Sequence, residues 1–241
     1  VIRSRSRRGI MQASLALLAL GMLLKMPLNT RMYHYGFAHA MPAAIVVVMF
    51  LAHRVPRWIA ARGGDRCIYL ASFVVLWLVI ASAHVRHTLI RVADRTVMVG
   101  DGADRFYAIK RGKFVVETVK LIREKTADDA TLAVFPEGVM LNYLARRRTP
   151  TRYLNFIPHE VKLYGEDRIL AAMRAAPPDA VVFVTRDTSE YGHRFFGRDY
   201  AEHLYAFLLD EYQRFGRLGG EPFTDDDFGV VVLFGKSSPV Q

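Results

Sequence analysis

Residues 67–85 read Cys-Ile-Tyr-Leu-Ala-Ser-Phe-Val-Val-Leu-Trp-Leu-Val-Ile-Ala-Ser-Ala-His-Val, without one Lys, Arg, Asp or Glu. A helix that crosses a membrane needs about 20 consecutive, mostly apolar residues, so this stretch predicts a span. Residues 32–53 are likewise uncharged, and so, over a shorter length, are residues 9–24. The shorter one predicts a helix continuing past Lys25, whose stem can snorkel to the interface. About three transmembrane helices are therefore expected, near 9–28, 34–53 and 67–85, within a membrane segment of residues 1–90. The competing reading makes them buried helices of a large soluble core.

The charges give that segment a direction. The chain of 241 residues carries a formal net charge of +10. Residues 1–66 hold ten Lys or Arg against Asp65 alone, whereas the remainder is nearly balanced. A nucleic-acid binder places a basic face on its folded domain, so no nucleic-acid partner is expected. Four Arg precede the first span and four more lie in 53–66, but 25–35 has only Lys25 and Arg31. The positive-inside rule then puts the N-terminus and the 53–66 loop in the cytoplasm. Everything after about residue 86 falls outside it, in a bacterial periplasm or its equivalent. The start Val-Ile-Arg-Ser-Arg, with no cleavable apolar leader before it, predicts the C-terminal piece of a longer membrane protein. Cys67 is the only cysteine, so neither a disulfide framework nor a thiol metal site is expected.

Residues 91–241 alternate short β-branched runs with helical patterns. Strands are predicted at 96–99, 131–135, 180–185 and 229–234. Helices are predicted at 114–125, from 136 through Leu144, at 169–176 and at 200–215. Such alternation implies crossover connections and an extracytoplasmic α/β domain with a mainly parallel sheet in Rossmann-like layers. The stretch 217–228, with Asp225-Asp226-Asp227, reads as a surface excursion. In a sheet of this kind ligands lie beyond the carboxyl ends of the strands. Asp101, Glu137 and Arg186-Asp187 each follow a predicted strand. Either they gather at a site, or the loops are polar because they face water.

Residues 131–153 read Thr-Leu-Ala-Val-Phe-Pro-Glu-Gly-Val-Met-Leu-Asn-Tyr-Leu-Ala-Arg-Arg-Arg-Thr-Pro-Thr-Arg-Tyr. Pro136 suits the first helical position and Glu137 complements the positive end of a helix dipole, so both are open to a structural or a ligand-binding role. Asn142 is neutral to unfavourable inside a helix and calls for a side-chain hydrogen bond, to a loop or to a ligand. Arg146-Arg147-Arg148 suits the negative end of the dipole, and three Arg at a lipid surface also suit a phosphate. Phe-Pro-Glu-Gly is shared with glycerol-phosphate acyltransferases. Those enzymes need an Asp five positions after a His, and no His here has one.

A longer resemblance runs through several blocks. They are His34-Tyr35-Gly36-Phe37 ahead of a span with Pro42, the run from Phe135 to Tyr153, Pro-Pro-Asp-Ala-Val-Val-Phe-Val at 177–184, and Glu190-Tyr191-Gly192 with Phe196-Gly197. Their order resembles the C-terminal part of bacterial multi-spanning glycosyltransferases of family 39, similar to protein mannosyltransferases and aminoarabinose transferases. The resemblance implies membrane lipid surroundings, a polyprenyl-phosphate-linked sugar donor, and a lipid, glycan or protein acceptor outside the cytoplasm. It also implies a catalytic carboxylate in the first extracytoplasmic loop. Because 25–35 contains no Asp or Glu, no residue here inherits that role. Arg31 and His34 are the candidates for lipid-phosphate binding. Glu137, Asn142, Arg147, Arg152 and Asp187 are the candidates for substrate binding. No cofactor is evident, and no compact His, Asp and Glu grouping has metal-ligand spacing. The alternative of a different class is a non-enzymatic membrane anchor whose outer domain binds a partner protein or glycan.

Overall fold

The computed structural model of the chain describes residues 7–24, 37–224 and 227–236. Arg31 and His34, the expected lipid-phosphate ligands, lie outside them. The chain falls into two compact units, Val1–Leu89 and Ile90–Gln241.

The first unit is helical, with α1 (Arg7–Leu23), α2 (Phe37–His53), α3 (Val55–Ala60) and most of α4 (Arg66–Ala93). Tyr69 on α4 donates its hydroxyl to the carbonyl of Leu51 on α2 at 3.1 Å. α4 starts where the sequence supplies a cap. Asp65 Oδ1 accepts from the backbone N–H of Cys67 at 2.6 Å and of Ile68 at 3.1 Å, two of the amides a helix start leaves without partners. Two stretches are long and apolar enough to cross a membrane, Ala40–Ala60 and Arg66–Ala93. Of the three expected spans these are the second and third. The first, Gly9–Leu23, is apolar but shorter, and its expected continuation past Lys25 lies outside the described residues. A core helix of a soluble protein buries one apolar face; α4 buries no residue at all.

In the second unit β1 (Val97–Val99) and β2 (Phe106–Ala108) form a small antiparallel ribbon. After it come α5 (Gly112–Lys125), β3 (Leu132–Phe135), α6 (Val139–Ala145), α7 (Pro158–Tyr164), α8 (Glu166–Ala175) and β4 (Ala180–Val184). The unit closes with α9 (Glu202–Glu211), β5 (Tyr212–Gly219) and β6 (Gly229–Gly235). The main sheet has the order β3-β4-β6-β5.

That sheet is mixed. β3 and β4 run parallel, but β6 is antiparallel to both β4 and β5, so the expected mainly parallel, Rossmann-like sheet does not form. The helix predicted over 200–215 stops at Glu211, and Tyr212 turns extended at φ −118°, ψ 142°. Gly216 and Gly219 disfavour a longer helix, and Tyr212 is buried with its hydroxyl on the carbonyl of Pro178 at 2.8 Å. The 220–228 connection is then too short for a crossover, which makes β5 and β6 antiparallel. The strand predicted at 96–99 pairs with β2 instead of joining the sheet, which takes Asp101 away from the sheet's edge.

The sheet separates two cores. Ala133, Phe135, Val181, Phe183, Val231 and Leu233 pack with Ile169, Met173, Leu204 and Leu208. Leu132, Val134, Val182 and Val232 pack with Val119, Ile122, Leu141 and Leu144 on the opposite face. Strands covered on both faces read as unbroken apolar runs rather than alternating ones, which is the pattern of β3, β4 and β6. Fully burying a Phe or Leu side chain stabilises by about 1.5–3 kcal/mol, so the carboxyl ends of β3 and β4 are firmly anchored.

Candidate functional site

β3 and β4 end side by side, with Phe135 opposite Phe183, so the residues that follow emerge at one edge. Beneath that edge Phe135 packs on Phe156 and Phe196, ring centroids 4.2 and 5.4 Å away. The Phe135–Pro136 peptide is cis, and a Cβ at Gly138 would overlap Val134. Glu137 emerges beside Arg186, whose Nε lies 3.3 Å from its carboxylate. The same guanidinium donates through Nη2 to Glu190 Oε1 at 2.8 Å. One cation thus bridges two carboxylates, one from the end of β3 and one from the loop after β4.

Aromatic groups stand around this bridge. His159 of α7 and Tyr191 lie ring to ring, centroids 4.7 Å apart. Burial, and then the Glu190 charge, push the Tyr191 phenol above its ordinary value. Burial pushes Tyr200 up to about 12. The Tyr200 hydroxyl and Arg186 Nε are buried without a hydrogen-bond partner among the described residues. Glu137 is close enough to attract Arg186 Nε but is not aligned to accept from it. Thr188 acts on Tyr200; its hydroxyl hydrogen serves the carbonyls of His193 at 2.7 Å and Arg194 at 3.0 Å, and its oxygen keeps a lone pair for the Tyr200 phenol. A buried polar atom without a partner costs about 1–3 kcal/mol, so Arg186 Nε, with the Tyr200 phenol beside Thr188, suits a ligand that brings polar groups of its own.

Asp187 holds the loop that carries these residues. Its Oδ1 accepts from the Ser189 N–H at 2.8 Å and from the Ser189 hydroxyl, and its Oδ2 from Arg194 Nε at 3.2 Å. The Ser189 bonds, and then Arg194, hold the Asp187 carboxyl below the usual carboxylate value of 3.8. A depressed folded-state pKa means stabilisation that is present above the unfolded value and lost as pH falls through the folded one. Hydrogen exchange of residues 187–199, corrected for its intrinsic rate, is expected to be flat from neutral pH down to about 4 and to quicken below it. Asp187→Asn should remove the step.

The other expected substrate ligands have different surroundings. Asn142 donates through Nδ2 to the carbonyls of Leu132 at 2.7 Å and Arg147 at 3.3 Å, tying α6 to β3. Arg146 caps α6 in the left-handed region at φ 58° and pairs with Asp104. Arg147 turns inward and is buried, and Arg148 forms a bridge with Thr131. The left-handed residue sends three consecutive Arg side chains apart, so they make no common phosphate cradle. Arg152 donates to the Tyr153 hydroxyl at 3.2 Å, a bond that raises its pKa, and shares no partner with Glu137 or Arg186. The edge therefore brings together Glu137 and Asp187 of the expected set. To these it adds Arg186, Glu190, Tyr191, His159 and Tyr200. Of the added residues, Arg186 had a sequence signal in its place after a strand, and Glu190 and Tyr191 in the Glu190-Tyr191-Gly192 block of the resemblance; His159 and Tyr200 had none.

A cavity of about 860 Å³ opens at the other end of β4, lined by Arg174, Asp179, Phe207, Asp210, Tyr212 and Lys236 among others. Three of its polar groups are engaged, and His203 and the carboxylates of Asp210 and Glu211 line it as well. Arg174 lies 5.4 Å from the Phe207 ring centre, Asp179 accepts from Thr131, and Lys236 donates to the Asp210 carbonyl. The β3–β4 edge, by contrast, is where the expected site residues Glu137 and Asp187 lie. Among the described residues no group of three or more His, Cys, Asp or Glu could hold a metal ion. No protein-family model, no curated protein and no solved structure matches the chain.

Proposed function

We propose that this chain is the C-terminal portion of a polyprenyl-phosphate-sugar-dependent glycosyltransferase of the bacterial inner membrane. Its α/β unit then lies outside the cytoplasm and recognises the acceptor or closes over the active site as a lid. One observation carries the reading. A unit that follows directly on a helix long and apolar enough to cross a membrane presents Glu137, Arg186 and Glu190 as alternating acceptor and donor groups beside the aromatic pair His159 and Tyr191. Sugars offer hydroxyls that both donate and accept, together with apolar ring faces, and this surface complements both.

In such a transfer the acceptor oxygen forms a bond to the anomeric carbon. The bond from that carbon to the phosphate oxygen breaks, and polyprenyl phosphate leaves with the electron pair. The proton of an acceptor hydroxyl goes to a general base. Residues 25–35 contain no Asp or Glu, so the base is assigned to sequence upstream and the contribution of this chain is binding. Membranes holding the full-length protein are expected to move label from a polyprenyl-phosphate sugar to an endogenous acceptor, and the 1–241 chain alone is expected not to. A topology reporter after Gln241 should be active only outside the cytoplasm, and one at Gly63-Gly64 only inside. Glycan binding without transfer by the full-length protein would favour the non-enzymatic anchor, and reversed reporters would sink the orientation.

A further inference from the structure

The β1–β2 ribbon has two unlike faces. Residues directly opposite on an antiparallel pair share a face, and the pairs are Val97 with Ala108, Met98 with Tyr107, and Val99 with Phe106. Val99 is buried, and Val97 and Ala108 pack in the same core. The ribbon is pressed so closely on the start of α5 that a Cβ at Gly112 would come within 2.7 Å of Ala108 Cβ. The other face is bare, with Met98 49% and Tyr107 60% exposed and Ile109 beyond them 49% exposed. Scattered exposed apolar residues are ordinary, but a contiguous apolar face marks an interaction surface.

Charge identifies what covers it. Arg95, Arg105, Lys110 and Lys113 flank the two strands in sequence, all exposed, and no ion pair involves any of them among the described residues. Of the nearby acids, Asp101 is held by Arg123 at 2.9 Å and Asp104 by Arg146 and the Tyr143 hydroxyl, which leaves the exposed Asp94 and Glu117 against the four cations. A tyrosine, a methionine and an isoleucine with exposed cations beside them in sequence have the composition of a membrane-interface surface, where aromatic rings sit at headgroup level and cations meet lipid phosphates. The tether is short as well. α4 has 28 residues and is about 42 Å long at 1.5 Å per residue, close to the roughly 40–45 Å of a bilayer with its headgroups. From Ala93 to Val97 the backbone reaches at most about 14 Å, so a spanning α4 keeps the ribbon within reach of the lipid surface.

We propose that the outer face of the β1–β2 ribbon docks on an anionic lipid surface. Met98, Tyr107 and Ile109 enter the headgroup layer, and Arg95, Arg105, Lys110 and Lys113 meet its phosphates. The proposal rests on the reading of α4 as a span.

The test uses the full chain with Cys67→Ser and one new cysteine at a time, Met98→Cys, Ile109→Cys, Val79→Cys in α4, or Leu163→Cys on α7. Each carries a fluorophore quenched by nitroxide-bearing lipid. Vesicles are phosphatidylcholine with or without phosphatidylglycerol. At Met98 and Ile109, nitroxide near the headgroup is expected to cut emission about twofold or more when phosphatidylglycerol is present. The effect should weaken in high salt and on combined Gln replacement of the four cations. Val79 should be quenched in both vesicles by nitroxide deep in the chains, and Leu163 in neither. Quenching at Val79 with Met98 and Ile109 no different from Leu163 overturns the docking surface and leaves the span standing. No quenching at Val79 overturns both. Shielding of Met98 and Ile109 from a water-soluble quencher without lipid quenching also overturns the proposal, because protein then covers the face.

Discussion

Arg147→Ala is expected to lower the stability of the α/β unit by at least about 1–3 kcal/mol, the largest loss of any single Arg substitution in the 146–152 run. The guanidinium is buried, with its side chain only 3% exposed. Its Nε donates to Thr126 Oγ1 at 2.9 Å, Nη2 to the Thr126 carbonyl at 2.9 Å, and Nη1 to the Ala145 carbonyl at 3.2 Å. Those bonds join the end of α5 to the end of α6, and alanine leaves the buried Ala145 carbonyl and the part-buried Thr126 acceptors without this donor. The carboxylate of Asp128, 3.4 Å from Nη2, is fully exposed, and exposed ion pairs contribute little. Asp128→Asn should therefore change stability by no more than about 0.5 kcal/mol. Arg147→Lys should recover only part of the loss, because one ammonium cannot reproduce the planar fork. Thermal unfolding read by tyrosine circular dichroism checks this, since both tryptophans, Trp58 and Trp77, lie in the first unit. For a unit of this size each kcal/mol moves the midpoint by about 2–4 °C. An unchanged midpoint with lost activity would return Arg147 to the phosphate-binding role its sequence invites.

The contrast with Arg147 shows which properties the sequence carries. Uncharged length is a local property, so the helices at 37–53 and 66–93 are readable without knowing what surrounds them. The β-branched runs at 131–135, 180–185 and 229–234 are readable because strands covered on both faces need apolar residues at every position. Strand direction is different, because it depends on what lies between strands. Reading 200–215 as one helix hid β5, and with β5 hidden the antiparallel pairing of β6 could not be foreseen. Glu137 and Asp187 were placed correctly at strand ends by a rule about sheets. The fate of Arg146, Arg147 and Arg148 turned on a single positive φ at Arg146, which nothing in three identical letters encodes. Asn142 lay between these cases. Its poor fit to a helix interior announced a side-chain bond, and the structure supplies the partners, the carbonyls of Leu132 and Arg147.

Arg186→Met in the full-length protein is expected to reduce acceptor use about tenfold or more while leaving the fold intact. A hydrogen bond from a charged donor to a ligand is worth about 1.5–3 kcal/mol, and every 1.4 kcal/mol is about tenfold in affinity. The cost to stability falls mainly on Glu190, whose side chain is only 20% exposed, because Glu137 is about half exposed and water can solvate it once the cation is gone. Arg186→Lys keeps the charge but cannot address Glu137, Glu190 and a ligand from one plane, so it should restore activity only in part. Tyr200→Phe separates a binding edge from a merely polar one. If the Tyr200 hydroxyl serves only the fold, through Thr188, its loss costs at most about 0.5–1.5 kcal/mol of stability and leaves activity normal. If it meets the acceptor, acceptor use falls. The second outcome is the expected one, with the Michaelis constant for acceptor rising and that for the lipid-linked donor unmoved, since the β3–β4 edge is assigned to the acceptor. Normal acceptor use in both Arg186→Met and Tyr200→Phe would remove this edge from the reaction altogether.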